Sequence, residues 1–332
     1  MSSRQYISRG ILTKLTVCAV VDSESFAGCS SPLSSEDDQI VVTTLQRLAK
    51  NVLVHPFVGA LEMIGYLERT RPDLIFNLTE QVSGNRNADS HIAALLDLTG
   101  IPYTGSGPRG LVICRDKALS KLLARREGFQ TPDFSLPLGG RSSTDFPNFP
   151  LVVKPRFGDA SEGISQASLV RTPRALAERI RFLRHKGIVD IICEDFVPGR
   201  EVFVGVLGEQ LMPGVIVVGR TSRHVPLLVS ERFKFDSEYR RRWKIRVDRI
   251  ELSDEQENSL RAFTSSTFKA LDMRHYGRLD LKLTPSGDWV FLEANPNSSL
   301  VRFERWWNLG NWTGVSLAFL LEEIARLALQ EV

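Results

Sequence analysis

Asp280 and Glu293 are the residues whose type and spacing point most directly to chemistry. They lie in GRLDLKLTPSGDWVFLEANPN. Alternating residues run from Arg278 to Leu283, Pro285-Ser286-Gly287 follows, and alternation resumes from Trp289 to Asn295, the pattern of a β-hairpin. A four-residue turn closed by Thr284 and Trp289 sets Asp280 directly opposite Glu293, and Arg278 opposite Asn295. Side chains alternate between the faces of a strand, so these four emerge together. Like charges facing each other destabilise a ladder unless something neutralises them. Hard oxygen ligands of this kind suit Mg2+ held between protein carboxylates and substrate phosphates. An isolated acid pair reads equally well as a solvated sheet face. Asn295 and Arg278 tip the reading towards a metal–phosphate site.

Three further segments bear on the same chemistry. Lys154 ends a strand-like VVKP and is followed by the small residues Gly158, Ala160, Ser161 and Gly163. Such a loop can close backbone N–H groups over a triphosphate while the lysine supplies fixed charge. GDASEG (158–163) has P-loop spacing, but Ile164 stands where the lysine belongs. In CEDFVPGRE, Glu194 ends one strand and Glu201 begins another, with Pro198-Gly199 turning between them. Exposed backbone beside Phe196 and Val197 suits an adenine edge and face, and the Glu201 carboxylate suits a ribose. GSGPRG (105–110) matches a dinucleotide pattern. It does not follow the first strand, Pro108 interrupts the phosphate-cradling turn, and no ribose acid stands about 20 residues on. A loop leading to Asp116-Lys117 is expected there.

The elements that must position these residues follow from composition and periodicity. The 332 residues exceed one typical domain. Hydrophobic content of 42% and charged content of 24% are those of an ordinary globular protein. The longest apolar runs are too short to span a bilayer, and the apolar run near the N-terminus reads as a first strand, so a cytoplasmic location is expected. Cys18, Cys29, Cys114 and Cys193 lack C-x-x-C spacing and read as free thiols, buried at Cys18 and Cys193. A net charge of +3, with one basic run at Arg240–Arg246, argues against a nucleic-acid groove. Up to about residue 110, LTVCAVV, IVVTTLQRLAKN, DLIFNLT and HIAALLDLTGI give a βαβ rhythm and a small parallel sheet with covering helices. Leu119, Leu122 and Leu123 mark a helix ending at Gly128. Thr172-Pro173 opens another, Ser253 and Gln256 form a capping box, and an amphipathic helix spans 315–329. The division expected is 1–112, 113–208 and 209–332.

Taken in order, Asp116-Lys117, VVKP, EDFVPGRE, GRLDLKL and LEANPN resemble the ATP-grasp family, in its D-alanine–D-alanine ligase branch. IFNLTE and GIPYTGSGP in the first lobe are similar to that branch as well, and the likeness runs from about Asp73 to Leu300. The resemblance implies a three-lobed α/β fold with a parallel-sheet N-terminal domain and two α+β lobes clamping ATP. It implies phosphate contacts from Lys117, Lys154 and Ser161, with Lys234 near the γ-phosphate. Glu194, Asp195, Phe196 and Val197 fall at the adenine and Glu201 at the ribose. Asp280, Glu293 and Asn295 would hold two Mg2+, for which Mn2+ could stand in, and Arg278 would stabilise a tetrahedral intermediate.

Departures from the family pattern fall on the substrate side. Ala160 replaces a serine, Phe235 replaces a tyrosine, and no GG-x-S-x-E segment occurs near the N-terminus. Past Asn295 the family's T-x-P-G-M-T becomes Pro296-Asn297-Ser298-Ser299-Leu300. Asn297, Ser299, Leu300 and Phe235 are therefore the candidate substrate residues. The expectation is an ADP-forming carboxylate–amine ligase acting on small amino acid or peptide-like substrates other than two D-alanines, with no nucleic-acid or membrane partner and a homodimer left open. A true D-alanine–D-alanine ligase, a nicotinamide oxidoreductase and a non-catalytic nucleotide-binding regulator are the alternatives.

Overall fold

The computed structural model describes residues 10–22, 35–137, 148–158, 163–208, 210–211, 215–218, 228, 236–301 and 315–331. Ala160, Ser161, Lys234, Phe235 and Cys29 lie outside the described residues.

The chain opens with a three-stranded parallel sheet ordered β2-β1-β3, made of β1 (Thr16–Asp22), β2 (Asn51–Phe57) and β3 (Leu74–Asn77). Alternation along β1 divides two cores. Val17 and Ala19 join α1 (Glu36–Leu48) on one face, while Cys18 and Val20 join α2 (Ala60–Thr70) and α3 (Asp89–Thr99) on the other. Gly100 ends α3 with φ 68°, the left-handed C-cap conformation that suits glycine. The βαβ rhythm foresaw β1, α1, β3 and α3 but not β2 or α2. Pro56 argues against a strand, yet β2 is an edge strand, where proline is tolerated.

GSGPRG behaves differently from the expected loop. Pro108 stands at the first position of α4 (Pro108–Arg115), where a missing N–H costs nothing. Its glycines serve packing rather than phosphate binding. A Cβ on Gly110 would stand 2.2 Å from the Asp272 carbonyl, and one on Gly105 2.4 Å from Asn297 Oδ1.

The next helix, α5 (Lys117–Arg126), is capped by Asp116, which accepts from the Ala118 and Leu119 amides. The leucine spacing predicts the helix but misplaces its inner face. Lys117, Ser120, Lys121 and Ala124 are buried, while Leu122 is 54% exposed. A central antiparallel sheet follows, ordered β4-β7-β5-β6, from β4 (Phe134–Ser135), β5 (Leu151–Pro155), β6 (Leu169–Val170) and β7 (Ile191–Asp195). It is backed by α6 (Pro173–His185), whose N-cap is Thr172.

The third sheet runs β11-β10-β8-β12-β13, with β9 (Gln210–Leu211) beside β8. Its strands are β8 (Arg200–Leu207), β10 (Val215–Val218), β11 (Arg246–Arg249), β12 (Tyr276–Leu283) and β13 (Trp289–Pro296). Although the sequence division at 208 groups Arg200–Leu207 with the central lobe, β8 pairs with β12 along its whole length. Gly199 makes this possible, with φ 133° and no room for a Cβ against the Leu283 carbonyl. The short helix α7 (Ser237–Arg242) precedes β11, and α8 (Asp254–Ala270), entered through the Ser253–Gln256 capping box, covers this sheet. The last helix, α9 (Leu317–Leu329), returns to the first sheet and packs in the core around Val17 and Leu74. Cys18, Cys114 and Cys193 are buried free thiols. Among the described residues no helix is long and apolar enough to cross a membrane.

Candidate active site

In the β12–β13 hairpin, Asp280 pairs with Glu293 and Arg278 with Asn295, the register expected from sequence. The route to that register differs. Pairing near the turn is Leu283 with Trp289, so the loop holds five residues, 284–288, rather than four. A β-bulge between Leu281 and Asp280 absorbs the difference, with Leu292 as the extra residue of β13. The bulge also decides which way the acid points. In an unbroken strand Phe291 and Glu293 would share a face. Here Phe291 and Ala294 both enter the core beside Leu281 and Leu279, while Glu293 emerges with Asp280 on the other side.

Each carboxylate of the pair meets cations. Arg278 clasps Asp280 in bidentate fashion, Nε to Oδ1 at 2.6 Å and Nη2 to Oδ2 at 3.1 Å, and lies over the Phe203 ring at 5.5 Å. Lys154 Nζ stands 3.8 Å and Lys117 Nζ 3.9 Å from Glu293 Oε2. Lys117 also donates to the Gly158 carbonyl at 2.6 Å, joining α5 to the start of the glycine-rich segment. Asp116 secures this corner through a bidentate pair with Arg156, at 2.8 and 2.5 Å. Burial works against the Asp116 charge, but the Arg156 guanidinium holds its carboxyl below the ordinary range.

Behind the hairpin lies a buried network that sequence reasoning missed. Glu194, expected at the adenine, turns its side chain to two lysines: Lys121 at 2.8 Å and Lys154 at 3.0 Å. Burial opposes the Glu194 charge, yet these lysines keep its carboxyl below the usual range. Burial pushes Lys121 down to about 8. For Lys154 the facing Glu194 and Glu293 outweigh burial and raise it. Lys121 also donates to the carbonyl of the bulged Leu292. A buried carbonyl left without a donor costs roughly 1–3 kcal/mol. The signal for Lys121 was its spacing, one helical turn from Lys117.

A cleft between the central and third sheets gathers Lys154, Glu194, Asp195, Phe196, Val197, Glu201, Asp280 and Glu293. Lys282, also missed from sequence, lines it and meets Glu201 at 3.3 Å. A second cavity, of about 420 Å³, lies between the first sheet and the loop after β13. It brings together Asn297, Ser299 and Leu300 from the candidate substrate set with Asp22, Asp37, Asp38 and Glu80. Asn297 takes a left-handed φ of 49° and accepts from the Ser106 amide at 2.6 Å, while Ser299 donates to Asp37 at 2.7 Å. Burial raises Asp22 to about 6 and Asp38 to about 7, and for Asp38 the neighbouring acids push the same way.

The donor set at the hairpin fits a divalent cation. Asp280 and Glu293 supply hard oxygens from one face. The Asn295 amide carries a buried Nδ2 with no hydrogen-bond partner among the described residues, and an amide end is assigned only by its bonds, so that position suits an oxygen turned to metal.

Residues 141–326 match the family described as D-ala D-ala ligase C-terminus. An uncharacterised protein of Sinorhizobium fredii is 32% identical over 264 residues, 77% of this chain and 76% of that protein. A D-alanine–D-alanine ligase of Nitratidesulfovibrio vulgaris is 32% identical over 216 residues, 64% of this chain and 67% of that protein. The crystal structure of D-alanine–D-alanine ligase from Bacillus anthracis complexed with ATP superposes with a TM-score of 0.70 at 19% identity, covering 96% of this chain and 98% of that one. This chain belongs to the D-alanine–D-alanine ligase family of ATP-grasp proteins, and is by class an ATP-dependent, ADP-forming carbon–nitrogen ligase.

Proposed function

We propose that the chain uses ATP and Mg2+ to activate a carboxylate as an acyl phosphate and join it to an amine, on amino acid or peptide-like substrates other than a pair of D-alanines. The observation that carries this reading is the acid pair facing the phosphate-side lysines: Asp280 opposite Glu293, with Lys117 and Lys154 within 4 Å of Glu293. Adenine is assigned to the Asp195–Val197 linker and ribose to Glu201. Asp280, Glu293 and Asn295 would hold the metal, which offsets charge on the transferring phosphoryl group. Lys154 and Lys117 add fixed positive charge on the same side. Arg278, its plane held by Asp280, is assigned to the oxyanion formed when the amine attacks the acyl carbon. Ser161 and Lys234, outside the described residues, keep their proposed phosphate roles.

The cavity lined by Asn297, Ser299 and Leu300 is assigned to the amino substrate. Its acids, Asp22, Asp37, Asp38 and Glu80, support binding of an ammonium group. The test is ADP release with single and paired L- and D-amino acids and dipeptides, with mass spectrometry of products. D-alanine alone is expected to support little ADP release, and some other pair much more. Formation of D-alanyl-D-alanine at the rate of the best alternative pair would make the chain an ordinary D-alanine ligase and overturn the substrate reading.

A further inference from the structure

Lys121 does not line the nucleotide cleft, and the mechanism above does not use it. It is nevertheless fully buried, at 0% exposure. An unpaired ammonium in such a place is expensive, so its partners explain its presence. One is Glu194 Oε1 at 2.8 Å; the other is the carbonyl of Leu292, the residue that β12 leaves without a partner. No glycine and no left-handed residue stands at this bulge. What marks it is the donor arriving from α5.

We propose that Lys121 is a positioning residue: by holding the Leu292 carbonyl it fixes the bulge, and so fixes the face on which Glu293 emerges beside Asp280. Glu194 anchors the ammonium from the opposite side and holds Lys154 at 3.0 Å. One buried lysine thereby ties the orientation of a metal carboxylate to the placement of a phosphate lysine. This inference rests on the reading of the hairpin as a Mg2+–nucleotide site.

The test is calorimetric titration of the full chain with ATP and with adenosine across a series of Mg2+ concentrations. It compares wild type with Lys121→Met, which keeps the bulk and loses the donor, and Lys121→Gln, which keeps a donor. Groups that orient metal ligands typically change metal affinity by about 10–100-fold when removed. The Met variant is therefore expected to need at least about tenfold more Mg2+ for half-maximal tightening of ATP, with adenosine affinity unchanged and part of the loss recovered in the Gln variant. An unchanged Mg2+ requirement overturns the assignment. So does an equal loss of ATP and adenosine, or failure of both variants to fold, since each makes Lys121 a plain support of the core. Wild-type protein whose ATP binding ignores Mg2+ would instead overturn the underlying reading of the site.

Discussion

The cleft and the cavity solve opposite electrostatic problems. In the cleft, acids alternate with bases: Asp280 with Arg278, Glu194 with Lys121 and Lys154, Glu201 with Lys282. In the cavity, Asp22, Asp37, Asp38 and Glu80 share a wall, and burial together with the other three acids pushes Asp38 towards protonation. The cleft is prebuilt for a ligand that brings its own counter-ion, because its carboxylates are already neutralised from behind. The cavity instead clusters its acids, with Glu80 meeting Arg86 at 3.5 Å and Asp37 accepting from Ser299. The two regions therefore hold their acids by different means, the first in close ion pairs and the second as a cluster of carboxylates.

The sharpest way to break this contrast is at the paired site. Glu293→Gln removes one charge of the facing pair, and ADP formation is expected to fall by about two to three orders of magnitude, the scale of losing a key electrostatic group. The check is ADP release at saturating Mg2+ with the melting temperature followed in parallel. Undiminished turnover would take Glu293 out of the metal set.

A smaller effect is expected at Lys154. Lys154→Ala should weaken ATP by about 1.5–3 kcal/mol, the worth of a hydrogen bond to a charged group, and leave adenosine nearly unaffected. Calorimetry with both ligands decides it. Equal weakening would make Lys154 a structural partner of Glu194 alone.

The smallest effect belongs to the cavity and concerns pH. Burial raises Asp38 to about 7 from an ordinary value near 3.8. The native state therefore holds this proton where the unfolded chain has lost it, and stability falls as pH rises between those values. Asp38→Asn should raise stability at pH 8 and change it little at pH 4. Melting curves at the two pH values test this; equal shifts would mean that Asp38 is not held protonated by its surroundings.

How much of this was legible beforehand differs between the same two regions. The cleft is written in short motifs, each local in sequence, so the acid pair, Lys117, Lys154, Glu201 and the linker residues can all be found by reading. Even there, two features cancelled to give the expected register. The turn is one residue longer than the Pro285-Ser286-Gly287 motif implies, and the bulge at Leu292 restores the pairing. Nothing about a leucine in an apolar run distinguishes a bulged position from a regular one. Lys121 was hidden for a related reason, since α5 turns its polar residues inward and leaves Leu122 exposed. Periodicity assumes that the apolar face is the buried one, and a helix lining a charged site reverses that rule. The cavity was scarcely legible. Its walls come from positions 22, 37, 38, 80 and 297–300, and only the folded chain brings them together.

The position of α9 has a consequence for how the protein is made. The last described helix packs beside the first described strand, and the Ile11 amide donates to Glu322 at 2.7 Å across 311 positions. β1 leaves the ribosome long before α9, so on that face its sheet has only α1 until α9 arrives. Until then Leu12, Val17 and Leu74 lack the part of their cover that α9 supplies, the kind of exposed apolar surface that chaperones bind. The lobe built on β1 is thus finished only when α9 has been made.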